Sequence, residues 1–100
     1  MSTVVRHVMI RGRVQGVGYR AWVATTAQAS SLEGWVRNRR DGSVEALLAG
    51  EDGVVADMIK ASHRGPSAAR VDTVVVMEDA SAEMLAQRHA GERFSILPTV

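Results

Sequence analysis

Trp35-Val36-Arg37-Asn38-Arg39-Arg40-Asp41-Gly42-Ser43-Val44-Glu45-Ala46-Leu47-Leu48-Ala49-Gly50 decides the fold. Asp41-Gly42 between two apolar runs is a strong hairpin signal, because a tight turn needs residues that tolerate positive φ. Val44, Ala46 and Leu48 fall on one face of the second run and Glu45 on the other. The pattern predicts strands at 35–40 and 43–50, paired antiparallel. That pairing argues against a doubly wound parallel sheet, for which 100 residues are also too few.

Upstream, residues 4–14 alternate. Val4, Val8, Ile10, Gly12 and Val14 share one parity, while His7, Met9, Arg11 and Arg13 take the other, which predicts a half-buried strand. Arg6 falls on the apolar parity and marks the frayed start. Tyr19, Val23 and Ala27 follow at helical spacing, with Leu32 one turn beyond. Downstream, residues 51–63 predict a second helix with Val54, Val55, Met58 and Ile59 inward, stopped by Gly65-Pro66. Residues 71–77 read as a strand. Residues 79–90 hold a short helix capped by Asp79 or Ser81, with Met84 and Leu85 inward. Residues 92–97 close the chain as a strand, with Phe94 and Ile96 on one face, before Pro98. The order is β-α-β-β-α-β plus a small extra strand. It predicts an α+β, ferredoxin-like sandwich in one domain over residues 1–100, two helices covering one face of an antiparallel sheet.

The chemistry concentrates between the first strand and the first helix. Gly12-Arg13-Val14-Gln15-Gly16-Val17-Gly18-Tyr19-Arg20 is a glycine-rich turn ending in an arginine at the mouth of a helix. In such a turn successive backbone N–H groups converge on one point, and the helix N-terminus adds partial positive charge. Gly16 and Gly18 permit positive φ and close approach of an oxyanion. Arg20 supplies a planar, permanently charged fork that matches two phosphate oxygens. A phosphoryl group fits this construction. A glycine turn chosen for tight packing stands beside that reading. Gly16-Val17-Gly18-Tyr19-Arg20-Ala21 also satisfies a dinucleotide-binding fingerprint formally. That fingerprint needs a parallel βαβ unit with an acid beyond it, and the nearby acid, Asp41, sits in the hairpin turn. The Walker pattern fails, because no Gly-Lys-Ser/Thr follows the glycines.

Composition sets the frame. The chain is 46% hydrophobic with four aromatic residues, so valine, alanine, leucine, isoleucine and methionine must build the core. No apolar run approaches the roughly 18 residues of a membrane span, and Met1–Arg6 lacks the pattern of a secretory signal. Without cysteine there are no disulfides, thiolate metal ligands or thiol nucleophiles. A reduced, cytoplasmic setting is the expectation. Net charge is +1, but seven arginines and a single acid lie in residues 1–40, against five bases and ten acids in residues 41–100. An anion would be steered toward the arginine-rich half.

What is missing constrains the reaction. No Ser/His/Asp set and no metal-ligand spacing is evident, so neither metal nor cofactor is expected. His7, His63 and His89 are scattered among polar neighbours and read as surface residues. A cysteine-loop phosphatase would carry its nucleophile where this chain has Val14. The loop can hold a phosphoryl group but not attack it, so hydrolysis must use water directly. Asn38 is the candidate to place that water: its amide can accept from water through the carbonyl and donate to a phosphoryl oxygen. A turn-forming role for Asn38 is the equally weighted alternative.

Taken together, Gly12–Arg20, Gly34-Trp35-Val36-Arg37-Asn38 and Asp41-Gly42-Ser43-Val44-Glu45, with Gly65-Pro66 and Ala69-Arg70-Val71 beyond, resemble an acylphosphatase over residues 4–97. The resemblance implies a metal-independent hydrolase of the carboxyl-phosphate anhydride. It further implies that the backbone of Gln15, Gly16, Val17, Gly18, Tyr19 and Arg20, with the Arg20 guanidinium, binds the phosphoryl group. Asn38 then orients the water, and the substrate's own phosphate accepts the proton. The implied partners are a small acyl phosphate and inorganic phosphate as competitive inhibitor, with no nucleic acid and no membrane, and a monomer is expected. Three departures stand out. Ser31 replaces the usual glycine at the end of the first helix, Tyr19 replaces the commoner phenylalanine, and the segment between Met77 and Phe94 is long. The competing functions are a non-catalytic phosphate-binding or regulatory module, and an RNA-binding domain of the same fold. The latter needs aromatic platforms that the strands do not offer.

Overall fold

The computed structural model describes residues 2–100. The chain runs β1 (Thr3–Arg13), α1 (Tyr19–Ala29), β2 (Glu33–Asn38), β3 (Val44–Glu51), α2 (Asp52–Ser62), β4 (Arg70–Met77) and β5 (Phe94–Ile96), with a 3-10 turn at Ala82–Gln87. The strands form a single five-stranded sheet in the order β4-β1-β3-β2-β5. The four principal strands pair antiparallel, whereas β5 joins β2 in parallel, so the sheet is mixed at that edge. The cause is topological. β4 and β5 point opposite ways, so the connection between them leaves and re-enters at one end of the sheet.

Val8, Ile10, Val36, Val44, Ala46 and Leu48 from the sheet meet Tyr19, Val23, Ala24 and Ala27 of α1 and Val55 and Met58 of α2 in the main core. A smaller cluster lies on the opposite face. There Trp35, Leu47 and Leu97 are covered by Met84 and Leu85 of the 3-10 turn, and the Trp35 indole donates to the Met84 carbonyl at 2.9 Å. Ser81 flanks that turn without a capping side-chain bond. Asp79, the other cap expected from sequence, is engaged by His7 instead. Ile96 is exposed at the sheet edge although Phe94 is buried.

The β2–β3 hairpin is one residue longer than a two-residue Asp41-Gly42 turn. Arg39 and Ser43 close the loop through Arg39 N–H to Ser43 O at 2.9 Å, and Gly42 takes the left-handed position with φ 93°. The Asp41 carboxylate holds it by accepting from Ser43 N at 2.9 Å and Ser43 Oγ at 2.6 Å. Those bonds keep the Asp41 pKa down at about 2. The extra residue sets the register so that Asn38 lies opposite Val44 and Arg37 opposite Glu45. Asn38 therefore shares the helix-covered face with Val36, while Arg37 goes to the other.

Candidate active site

β1 and β2 are both antiparallel to β3, so they run the same way and their C-terminal ends meet at one end of the sheet. β1 leads into the glycine turn and β2 ends at Asn38. Val14, Gly16, Gly18, Tyr19, Arg20, Ala21 and Asn38 line a cavity of about 150 Å³ at this place. Two segments far apart in the chain are thus brought together. Gly16 and Gly18 hold φ of 73° and 81°, and open space lies where a Cβ would project. Their glycine identity therefore follows from backbone conformation rather than crowding.

The two helix starts differ in a telling way. α2 is capped by Glu51, whose carboxylate accepts from Gly53 N and Val54 N, and Asp52 adds an acid to its first turn. α1 starts at Gly18 with no capping side chain and no acid in its first turn. The N–H groups that open a helix need acceptors, and α1 presents its own beside the cavity. Arg20 is partly buried there, and none of its guanidinium nitrogens is engaged by another described residue. Asn38 is 9% exposed, and its Oδ1 is the one buried side-chain polar atom without a hydrogen-bond partner among the described residues. An orphaned buried carbonyl costs about 1–3 kcal/mol unless a partner reaches it. Chemically, the cavity offers N–H donors, a guanidinium fork and a neutral acceptor.

The remaining predicted residues take supporting places. The Gln15 side chain points to the hairpin, donating through Nε2 to Arg39 O at 2.7 Å and Ser43 O at 2.8 Å. Val17 packs partly buried against the main core. Tyr19 is buried, and its hydroxyl has found a partner in the Ser62 carbonyl.

His7 is a correction. It is buried, not a surface residue, and lies on the sheet face away from the helices. Its Nε2 meets Glu45 at 2.6 Å and its Nδ1 meets Asp79 at 2.7 Å. Glu45 also accepts from Arg37 Nε at 2.7 Å and Arg39 Nη1 at 2.9 Å, and the Arg37 guanidinium stacks 4.7 Å from the Trp35 ring. Burial pushes the Glu45 carboxyl up, but the bonds from Arg37, His7 and Arg39 together outweigh it and leave its pKa lowered. Glu45 thus grips both residues that flank Asn38. The Arg37–Glu45 pairing follows from the hairpin register, whereas the second partner of His7, Asp79, lies far along the chain. His63 and His89 are exposed, as expected.

A family model described as acylphosphatase matches residues 6–96. The chain belongs to the acylphosphatase family. It is 68% identical, over the whole length of both chains, to an acylphosphatase of Rhodopseudomonas palustris strain BisB5. The crystal structure of acylphosphatase from Bacillus subtilis superposes with a TM-score of 0.81 at 34% identity, covering 96% of this chain and 99% of that one. Full-length HypF in its phosphate- and nucleotide-bound form also matches, with a TM-score of 0.76 at 25% identity. That match covers 99% of this chain but 13% of HypF. As a family member the chain is an acylphosphatase, a hydrolase that splits small acyl phosphates into carboxylate and inorganic phosphate. No helix among the described residues is long and apolar enough to cross a membrane.

Proposed function

We propose that the reaction is a direct, metal-independent attack of water on the phosphoryl group, held by the loop from Gln15 to Arg20 and served by Asn38. The observation that carries this reading is the partnerless Oδ1 of Asn38 beside a cavity it shares with Arg20. The backbone N–H groups of Gln15, Gly16, Val17, Gly18, Tyr19 and Arg20 and the Arg20 fork hold the phosphoryl oxygens. Asn38 accepts a hydrogen bond from the attacking water. The water oxygen bonds to phosphorus as the bond from phosphorus to the carboxyl oxygen breaks. The bonding electrons leave with the carboxylate, and the water proton passes to a phosphoryl oxygen of the substrate. None of the residues lining the cavity is a carboxylate, thiol or imidazole, which fits a route using the substrate's own base and its own good leaving group.

Inorganic phosphate, as the product sharing the anion contacts, is a competitive inhibitor in this scheme. A monomer suffices for this scheme, because the loop and Asn38 already meet in one cavity within a single chain. The absence of cysteine is compatible with the cytoplasm.

Phosphate release from an aryl acyl phosphate, with and without excess chelator, tests the proposal. The rate is unchanged by chelation and no phosphoenzyme is trapped, whereas unactivated monoesters are poor substrates. Loss of activity on chelation, or a trapped phosphoenzyme, refutes the scheme.

A further inference from the structure

The loop bearing Arg20 follows β1, and Asn38 ends β2, with β3 between those strands. Something must fix the distance between the two groups, since small misplacements of reacting partners are costly in rate. Among the described residues, the side chain of the 14–20 loop that hydrogen-bonds the hairpin is Gln15. Both of its contacts are main-chain carbonyls, one belonging to Arg39, the residue directly after Asn38. The other, Ser43 O, also accepts from Arg39 N and so closes the hairpin. Gln15 is partly buried and carries no charge that would disturb a bound anion.

We infer that the Gln15 amide is a positioning residue for hydrolysis: it sets where Asn38, and the water Asn38 holds, lies relative to the anion loop. The inference rests on the water-positioning assignment of Asn38. It separates two roles within one residue. The backbone of Gln15 belongs to the anion cradle, while its side chain spans to the opposite strand end. A side chain that merely filled space or steadied the loop would be needed equally for holding the anion and for turnover. A brace between loop and hairpin is needed for turnover alone.

Gln15→Met keeps the length and loses both donors, and Gln15→Asn keeps the amide but falls one methylene short of the two carbonyls. Each is measured for kcat on an aryl acyl phosphate, for inorganic phosphate binding by calorimetry, and for melting temperature. Turnover falls roughly tenfold to a hundredfold, while phosphate affinity stays within about twofold because the loop amides and Arg20 remain. The combined variant Gln15→Met/Asn38→Ala is no slower than Asn38→Ala alone, since a brace without its cargo has nothing left to position. If Gln15→Met fails to fold, Gln15→Asn carries the same comparison. Unchanged turnover, a parallel loss of phosphate binding, or additive effects in the combined variant overturn the inference. Normal turnover in Asn38→Ala removes the assignment beneath it. Slow Asn38→Ala with unimpaired Gln15 variants overturns the brace alone.

Discussion

Tyr19 donates its phenolic hydroxyl to the main-chain carbonyl of Ser62 at 2.6 Å, mooring the first turn of α1 to the last turn of α2. Burial raises the Tyr19 pKa to about 12, with the Ser62 side chain opposing in part. The folded state therefore holds this proton more tightly than the unfolded state does. Its contribution is complete below the ordinary tyrosine value of 10.0 and is lost as pH rises from there to about 12. Tyr19 is the only tyrosine, so phenolate absorbance reads it directly. The titration midpoint lies near the raised value or coincides with alkaline unfolding, and a midpoint at the ordinary value rules the buried bond out. Tyr19→Phe strands the Ser62 carbonyl and costs about 1–2 kcal/mol in denaturant unfolding.

Ser31 supplies a second stability test. It is the only described non-glycine residue at positive φ, 60°, just past the end of α1. Leu32 N–H bonds Ala27 O at 2.9 Å and Ser31 N–H bonds Gln28 O at 3.1 Å, which is a Schellman closure with serine in the position glycine prefers. Ser31→Gly relieves the left-handed strain and raises stability by about 0.5–1 kcal/mol. Phosphate release is unaffected, since Ser31 lies outside the cavity. A destabilised Ser31→Gly would show that the serine side chain is itself needed.

Arg20→Lys tests the anion cradle. A point charge cannot reproduce two parallel bonds to a phosphoryl group. The variant folds with near-normal stability, because Arg20 has no partner to lose among the described residues. Turnover falls by on the order of 10²–10³ or more, and inorganic phosphate inhibits it weakly. Equal phosphate affinity in both proteins would remove Arg20 from the assignment.

Asn38 gives the sharpest contrast between its two roles. Asn38→Ala loses turnover severely while phosphate inhibition stays near the parent value, the signature of an interaction made in the transition state. If Asn38 only shaped the hairpin, the variant would lose roughly 1 kcal/mol of stability and keep its turnover at low temperature. Asn38→Asp is as slow as the alanine variant and binds phosphate more weakly, because a carboxylate faces the phosphoryl charge in a partly dehydrated site. Near-normal turnover in either variant shows that other groups hold the water.

The strands, both helices and the glycine turn between β1 and α1 were legible in local pattern, because each is written in residues a few positions apart. The hairpin register was not. It turns on one extra residue, set by the Asp41–Ser43 contacts and the left-handed Gly42. His7 looked like a surface residue because its carboxylate partners come from β3 and from beyond β4. Met84 and Leu85 were legible as inward-facing, but residues 78–93 carry little other periodicity, so neither Trp35 as what they cover nor the parallel entry of β5 could be read from them. Asn38 was legible as a residue type; its partnerless oxygen exists only once the chain is folded.

The interposition of β3 between the two halves of the site has a kinetic consequence. α1 and α2 form from near neighbours in the chain, whereas the cavity needs β3 in register with both β1 and β2. Long-range pairing of that kind is the slow part of folding. During refolding, helical signal therefore returns ahead of hydrolysis, and the recovery of turnover acts as a clock for assembly of the central sheet.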